Sequence, residues 1–299
     1  VLEFLVQDLS ARYQGGSAAN RDSSSIGSIR AVVADNSAPG LQGKDDLLDL
    51  FFHPLLREGE VRDHVQTNDW LVVTSERDWW RHETSGSGRG RFAYGSDRTV
   101  WTAPPTSMLR GIFEQHLGPE ARLVSTIAGS TTYDPVRRAV SVDGTFDYDR
   151  LAGFGWDMTL SSIPKLSLVD LQTGAKNWEE QPPVVLDRWE ASVTDESLRD
   201  IAFKVLATMS KEKHTPRQAQ VGVLNWIDQI SRGVDPGQSP LTALAVGAVK
   251  SVIRGGGTLR AATDLPQTLS KQALREEKAR SELAAIDRYQ ILIEHSPAR

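Results

Sequence analysis

The sequence contains no cysteine among its 299 residues. This excludes disulfide bonds, thiolate nucleophiles and zinc sites with cysteine ligands. It also lacks any apolar run of the roughly 18–20 residues that a membrane-spanning helix requires. The chain starts at Val1, and Glu3 and Asp8 interrupt its first apolar residues, so we expect no secretory signal peptide. These absences predict a soluble protein without a membrane span.

The sequence also has no excess of Lys and Arg over Asp and Glu, since the formal net charge is -5 and the pI is about 5.7. This balance argues against a general nucleic-acid-binding protein. Residues 1–190 carry 19 Lys and Arg against 27 Asp and Glu, whereas residues 191–299 carry 15 against 12. Opposed charge on two parts of one chain suits head-to-tail self-association.

Familiar catalytic motifs are also lacking. The sequence has neither a G-x-S-x-G nucleophile elbow nor an H-E-x-x-H zinc motif, and its six histidines are scattered. We therefore assign no catalytic, cofactor-binding or metal-binding residue and favour a protein that is not an enzyme. Catalytic residues can be dispersed along a chain, so an enzyme stays open as an alternative.

Aromatic residues are concentrated in residues 69–105, which hold Trp70, Trp79, Trp80 and Trp101. Aromatic and β-branched residues favour strands. We predict strands over 71–74, 92–94 and 99–102, with glycine-rich turns between them. This stretch is the expected nucleus of a sheet.

The fold expected from the whole pattern is α+β: a mixed or antiparallel β-rich N-terminal part with a segregated C-terminal helical bundle. Leu2, Leu5, Val6 and Leu9 recur at helical spacing and predict a short helix over 1–13, followed by a flexible tether. The expected domains are 1–28 (helix and tether), 29–190 (β-rich) and 191–299 (helical).

Four helices are predicted after residue 191. Residues 198–209 follow the helical apolar period, Thr215 starts a capping box for a helix to about 230, and Pro240 starts an apolar helix that ends at the Gly255–Gly257 run. The fourth covers about 265–294 and would be about 45 Å long.

The end of this fourth helix carries an apolar stripe of Leu283, Ile286 and Ile293. Its charged middle offers a narrow apolar face, so we predict that the stripe contacts another chain. The alternative is that the helix folds back and the stripe completes its own core.

Arginines stand among glycines at residues 86–92. Arg89 and Arg91, with the ring of Phe92, are candidate contacts for single-stranded nucleic acid through charge and stacking. Acidic neighbours favour instead a flexible hairpin loop between core strands, so nucleic acid is the less favoured partner.

Four carboxylates, Asp143, Asp147, Asp149 and Asp157, lie close together in the sequence. Such a group could bind a divalent metal or divide acid and base roles, although the spacing matches no known calcium loop. A strand with solvent-facing aspartates explains it equally well. Asp143-Gly144 in addition predicts a hairpin turn.

Together these observations predict a structural or interaction protein of a larger assembly, such as a viral capsid or virion surface component. Its expected partners are other proteins, either further copies of itself or other subunits. The alternative is an enzyme of an unfamiliar family with an acidic cleft around Asp143–Asp157. A third possibility is single-stranded nucleic-acid binding through Arg89 and Arg91.

Overall fold

A computed structural model of the chain describes residues 2–14, 21–33, 56–84, 89–107, 109–165, 183–209, 214–263, 265–269 and 283–298. These residues form twelve strands and five helices. The chain divides into unit 1 (Val1–Asp149 and Ser162–Pro182) and unit 2 (Arg150–Ser161 and Pro183–Arg299). The three expected domains, 1–28, 29–190 and 191–299, stay a prediction.

Unit 1 is built on a sheet of long antiparallel strands. Its strands are β1 (Leu2–Gln14), β2 (Arg21–Val33), β3 (Leu56–Thr67), β4 (Val72–Thr84), β5 (Gly90–Thr102), β6 (Arg122–Asp134) and β7 (Ala139–Tyr148). Each strand pairs with the next one along the chain, so the sheet is a meander in the order β1 to β7. One helix, α1 (Arg110–Leu117), lies between β5 and β6 in sequence.

Large rings lie over glycines in this sheet. Trp80 on β4 pairs with Gly59 on β3, and a Cβ at Gly59 would come within 2.0 Å of the Trp80 ring. Trp79 covers Gly95 in the same way. The ring of Tyr94 on β5 likewise lies over a glycine on β6. Because a glycine leaves no side chain on its face of the strand, the neighbouring ring can lie flat across it. The aromatic stretch is thus central to the unit 1 sheet, as predicted, but the two strands expected over 92–94 and 99–102 are both part of β5.

Unit 2 combines five strands with four helices. The strands are β8 (Ala152–Ser161), β9 (Val184–Asp195), β10 (Gly257–Thr263), β11 (Gln267–Leu269) and β12 (Leu292–Ser296). The helices are α2 (Leu198–Met209), α3 (Pro216–Ile230), α4 (Pro240–Gly255) and α5 (Ala284–Arg288). The strand order is β8-β9-β10-β12, all antiparallel, with β11 also paired to β9.

The expected segregation of a C-terminal helical bundle is wrong. Helices α2, α3 and α4 lie between β9 and β10 in sequence, and β10 then returns to pair with β9, with Ala191 opposite Ala261. β12 adds to the same sheet. Apolar residues after 255 find their partners in strands that lie far away in the sequence. Sheet and helices therefore alternate along unit 2, and the protein is mostly an antiparallel sheet with short helices.

The N-terminal helix expected over 1–13 is also wrong. Residues 2–14 form β1, which pairs with β2 along its whole length and places Val6 opposite Ile29. β2 supplies partners for the backbone N–H and C=O groups of β1, and this pairing overrides the helical spacing of the leucines. Residues 21–28 of the expected tether belong to β2, and residues 15–20 lie outside the described residues.

The long helix expected over 265–294 is a third correction. Within this range the described residues form β11, the five-residue helix α5 and the start of β12, so no continuous helix covers it. Residues 270–282, which include the charged middle, lie outside the described residues. The last apolar residues lie in a strand because β10 pairs with them.

The three preceding helices are confirmed. α2 and α3 have the predicted bounds, and α4 ends one residue into the glycine run. The capping box is present: the Gln218 N–H donates to Thr215 Oγ1 at 3.2 Å, and the Thr215 N–H donates to Gln218 Oε1 at 2.7 Å. The hairpin turn expected at Asp143-Gly144 is wrong, because both residues lie inside β7 and the turn from β6 covers 135–138.

Candidate functional site

The edge of the unit 1 sheet exposes apolar side chains. Within the described residues β1 pairs with β2 and with no other strand. Leu5, Val6 and Leu9 are 62%, 43% and 45% exposed. We call residues 5–9 the β1 edge surface.

The backbone of β1 makes this surface suitable for pairing. A strand that ends a sheet presents a row of N–H and C=O groups on its outer side, which can pair with a strand from another chain. Native edge strands are commonly short or protected by charged residues. β1 is 13 residues long, and Asp8 is the only charged residue of the β1 edge surface. Asp8 also has a left-handed φ of 56°, a conformation that costs energy in a non-glycine residue.

Arg89 directly precedes β5 and Arg91 is its second residue. Both are exposed, but Arg89 is engaged within unit 1. Its Nη2 atom lies 3.1 Å from Asp134 Oδ2. Hydrogen bonds from the Arg137 and Val136 N–H groups and the charge of Arg89 together lower the pKa of Asp134, and burial opposes them. A carboxylate at this place weakens the attraction of a phosphate backbone to Arg89.

The ring of Phe92 is also engaged. It lies 4.5 Å from the His82 ring and 5.7 Å from the Tyr94 ring, measured between ring centroids. A base that stacks on Phe92 would have to compete with these intramolecular contacts. Nucleic-acid binding through Arg89, Arg91 and Phe92 stays a prediction, and this packing does not favour it.

The aspartates of the proposed acidic cleft belong to two units of the chain, and the cleft stays a prediction. Asp143 and Asp147 are exposed on one strand, β7, four residues and therefore about 13 Å apart. Asp143 accepts a hydrogen bond from Ser130 Oγ at 2.7 Å. Asp157 belongs to unit 2, where it lies 3.7 Å from Arg188 Nε. In the part of the chain that the structure describes, no three acidic or histidine side chains are grouped as metal ligands.

Leu283, Ile286 and Ile293 are half-buried within unit 2. Leu283 precedes α5, and its carbonyl oxygen accepts a hydrogen bond from Thr242 Oγ1 at 2.9 Å. Ile293 lies in β12 opposite Ala261. α4 packs against both α5 and β12, so contacts within the unit account for much of this burial. Contact of these three residues with another chain stays a prediction.

A row of polar side chains crosses β2, β3 and β4, and the sequence interpretation missed it. Ser24 Oγ lies 3.2 Å from His64 Nε2, and His64 Nδ1 lies 3.8 Å from Asp78 Oδ2. We call these residues the Ser24–His64–Asp78 row. Its members are 40 and 14 positions apart in sequence, so no local motif marks them.

The carboxylate end of this row is held by further hydroxyl groups. Ser75 Oγ donates to Asp78 Oδ1 at 2.5 Å. Ser75 and Ser96 are buried, with their hydroxyl oxygens 3.1 Å apart, and Ser96 Oγ lies 2.8 Å from Thr99 Oγ1. Buried hydroxyls that are hydrogen-bonded in this way stabilise one side-chain arrangement.

No protein-family model matches the chain, and no curated protein matches its sequence significantly. None of the helices in the described ranges has both the length and the apolar character needed to cross a membrane. The β1 edge surface and the Ser24–His64–Asp78 row are the two features of the described residues that suggest a function.

Proposed function

We propose that this protein is a structural or interaction protein that acts through protein–protein contacts in a larger assembly, of which a virion component is one example. The contact is pairing of the β1 edge surface with the same surface of a second copy. One observation supports this proposal: a 13-residue edge strand exposes Leu5, Val6 and Leu9.

The order of residues in β1 suits a symmetric antiparallel pair. Leu5 and Leu9 each lie two residues from Gln7, and β1 keeps its one-to-one register with β2 on both sides of Asp8, with Gln7 opposite Ser28 and Leu9 opposite Ile26. If a two-fold axis passes by Gln7, each Leu5 lies opposite the partner's Leu9. Asp8 then lies opposite the partner's Val6, so no two carboxylates face each other. A leucine that becomes fully buried in such a pair contributes roughly 1.5–3 kcal/mol.

The first experiment uses the absence of cysteine. In the variant Gln7→Cys, the two new thiols lie on either side of the axis, with Cα atoms about 4.5–5.5 Å apart, which is within the range of a disulfide. We expect a covalent dimer under mild oxidation of the folded protein. The matched control is Val136→Cys, since Val136 is 89% exposed in the turn before β7. Equal dimer yields from the two variants would contradict β1 pairing.

A second experiment measures assembly directly. Light scattering gives the mass of the native protein and of the variant Leu5→Lys/Leu9→Lys, in which charges oppose edge pairing. We expect the native protein to be at least dimeric and the variant to be monomeric with an unchanged thermal midpoint. A native protein that is monomeric at all concentrations tested would refute the proposed function.

A further inference from the structure

The Ser24–His64–Asp78 row has the order hydroxyl, imidazole, carboxylate on three adjacent strands. The hydroxyl and the carboxylate use different ring nitrogens, with Ser24 Oγ at Nε2 and Asp78 Oδ2 at Nδ1. This is the arrangement in which an imidazole can accept a proton from a hydroxyl while a carboxylate orients the ring. The 3.8 Å separation on the carboxylate side is longer than a hydrogen bond, and such separations commonly shorten when substrate binds.

The surroundings of the row suit this chemistry. Ser24 is half-buried, the His64 side chain is 24% exposed and the Asp78 side chain is 37% exposed, so a small acyl compound can reach the hydroxyl. The hydrogen bond from Ser75 holds the Asp78 carboxylate. Gln66 lies directly opposite Ser24 on β3 and is exposed, which places a side-chain amide beside the hydroxyl.

We propose that Ser24 is an acyl-accepting nucleophile toward small activated esters, with His64 as general base and Asp78 as a positioning residue. Ser24 Oγ forms a bond to the ester carbonyl carbon while His64 Nε2 takes the hydroxyl proton. The bond to the leaving alkoxide then breaks, and His64 returns the proton to that oxygen. Water attacks the acyl-serine with His64 again as base, which releases the acid and restores Ser24. The activity does not depend on the pairing of β1.

The test uses a fluorophosphonate probe on the full chain. Ser24 Oγ attacks phosphorus and displaces fluoride, so intact-mass analysis and peptide mapping identify the labelled residue. We expect one label per chain at Ser24 and none in Ser24→Ala. The matched control is Ser25→Ala, because the adjacent side chain points to the other face of β2. This control keeps full labelling.

Variants of His64 and Asp78 separate catalysis from a structural polar row. His64→Ala slows labelling by about 100-fold or more, the usual contribution of a general base. Asp78→Asn slows it less and leaves the label on Ser24. Circular dichroism checks that each variant is folded, and His64→Gln, which keeps a polar side chain, replaces His64→Ala if that variant unfolds. Absence of labelling in the native protein, or equal labelling of folded Ser24→Ala, overturns the proposal. So does a folded His64 variant that is labelled at the native rate.

Failure of this proposal is distinguishable from failure of the proposed function. The labelling experiments report on Ser24 in a single chain, whereas the disulfide and light-scattering experiments report on β1 pairing. A monomeric protein that is labelled at Ser24 would retain the inference and refute the assembly.

Discussion

Asp287 in α5 binds the N-terminus of α4 through Thr242. The Thr242 N–H donates to Asp287 Oδ2 at 3.1 Å, the Leu241 N–H donates to Oδ1 at 2.9 Å, and the Thr242 hydroxyl donates to Oδ2 as well. The N-cap residue Ser239 makes no side-chain cap of its own. Because the first N–H groups of a helix have no partner within it, a carboxylate 45 residues away in the chain satisfies them.

The first prediction concerns this cap. Asp287→Ala should lower the free energy of unfolding by about 1 kcal/mol at pH 7, as the loss of a helix cap usually does. Urea unfolding followed by circular dichroism measures it. Asp287→Asn keeps one acceptor oxygen and should give an intermediate value. Equal stability of Asp287→Ala and the native protein would show that the cap contributes nothing.

The same cap predicts a pH dependence. Burial raises the pKa of Asp287, but hydrogen bonds from Thr242 and Leu241 outweigh it, so the pKa lies below its ordinary value of 3.8. A lowered pKa means that the native state favours the carboxylate. The stability gap between the native protein and Asp287→Ala should thus be largest above about pH 4 and shrink as the pH falls through the lower, folded pKa. A gap of constant size down to acid pH would contradict this.

A second acidic group should dominate the acid response of the unit 2 sheet. Glu190 on β9 accepts two hydrogen bonds from Arg260 on β10, at 2.7 Å and 2.8 Å, and one from Arg188 at 3.2 Å. Arg260 foremost, with a contribution from Arg188 and against burial, lowers the pKa of Glu190 from 4.5 to about 2. The stability that this pair contributes is present above about pH 4.5 and lost as the pH falls toward 2.

Glu190→Gln should therefore flatten the dependence of unfolding free energy on pH between 4.5 and 2, measured by urea unfolding at each pH. The control is Glu294→Gln, since Glu294 lies farther from Arg260, at 3.5 Å, and its side chain is 53% exposed. Its effect on the slope should be smaller. Identical slopes in the two variants would contradict a special role for Glu190.

Two glycines provide a matched pair of alanine substitutions. Gly59→Ala places a Cβ 2.0 Å from the Trp80 ring, so the ring must move and the free energy of unfolding should fall by about 1–3 kcal/mol. Gly111→Ala, in the exposed part of α1, meets no atom within 4 Å. It should raise stability by about 0.5–1 kcal/mol, because alanine favours a helix more than glycine does. Thermal unfolding of both variants tests this; a stable Gly59→Ala protein would show that Trp80 does not lie over β3.

Substitution of two threonines tests the N-terminal cap of α3, with one threonine in the cap and the other inside a helix as the control. Thr215→Ala removes the capping box of α3 and should cost about 1 kcal/mol. Thr208 in α2 donates its hydroxyl to the Lys204 carbonyl oxygen inside the helix, at 2.9 Å. Thr208→Ala should be neutral or slightly stabilising, because alanine has the higher helix propensity. Equal losses from both substitutions, measured by urea unfolding, would contradict a specific cap at Thr215.

The helices α2, α3 and α4 could be predicted because their signals are local. The apolar residues of α2 repeat at helical spacing, and the capping box at Thr215 requires residues only three positions apart. Such patterns act within a turn or two of the chain. They need no knowledge of what the helix packs against.

β1 shows where local patterns fail. The spacing of Leu5 and Leu9 predicts a helix, but two apolar residues four apart also share one face of a strand. These residues form a strand because Val6 pairs with Ile29, and that pairing requires β2 to lie alongside β1. The same reason explains β10 and β12, since Ala261 pairs with Ala191 across three intervening helices.

Neither proposed feature could be found by reading the sequence. Exposure of Leu5 depends on which strand ends the sheet, and this is a property of strand order. Ser24, His64 and Asp78 carry no spacing signal, because cross-strand neighbours are set by register rather than by distance along the chain. Hydrogen bonds within a helix join residues four apart and are visible in the sequence, whereas those of a sheet join residues at any separation, so only the tertiary structure decides them.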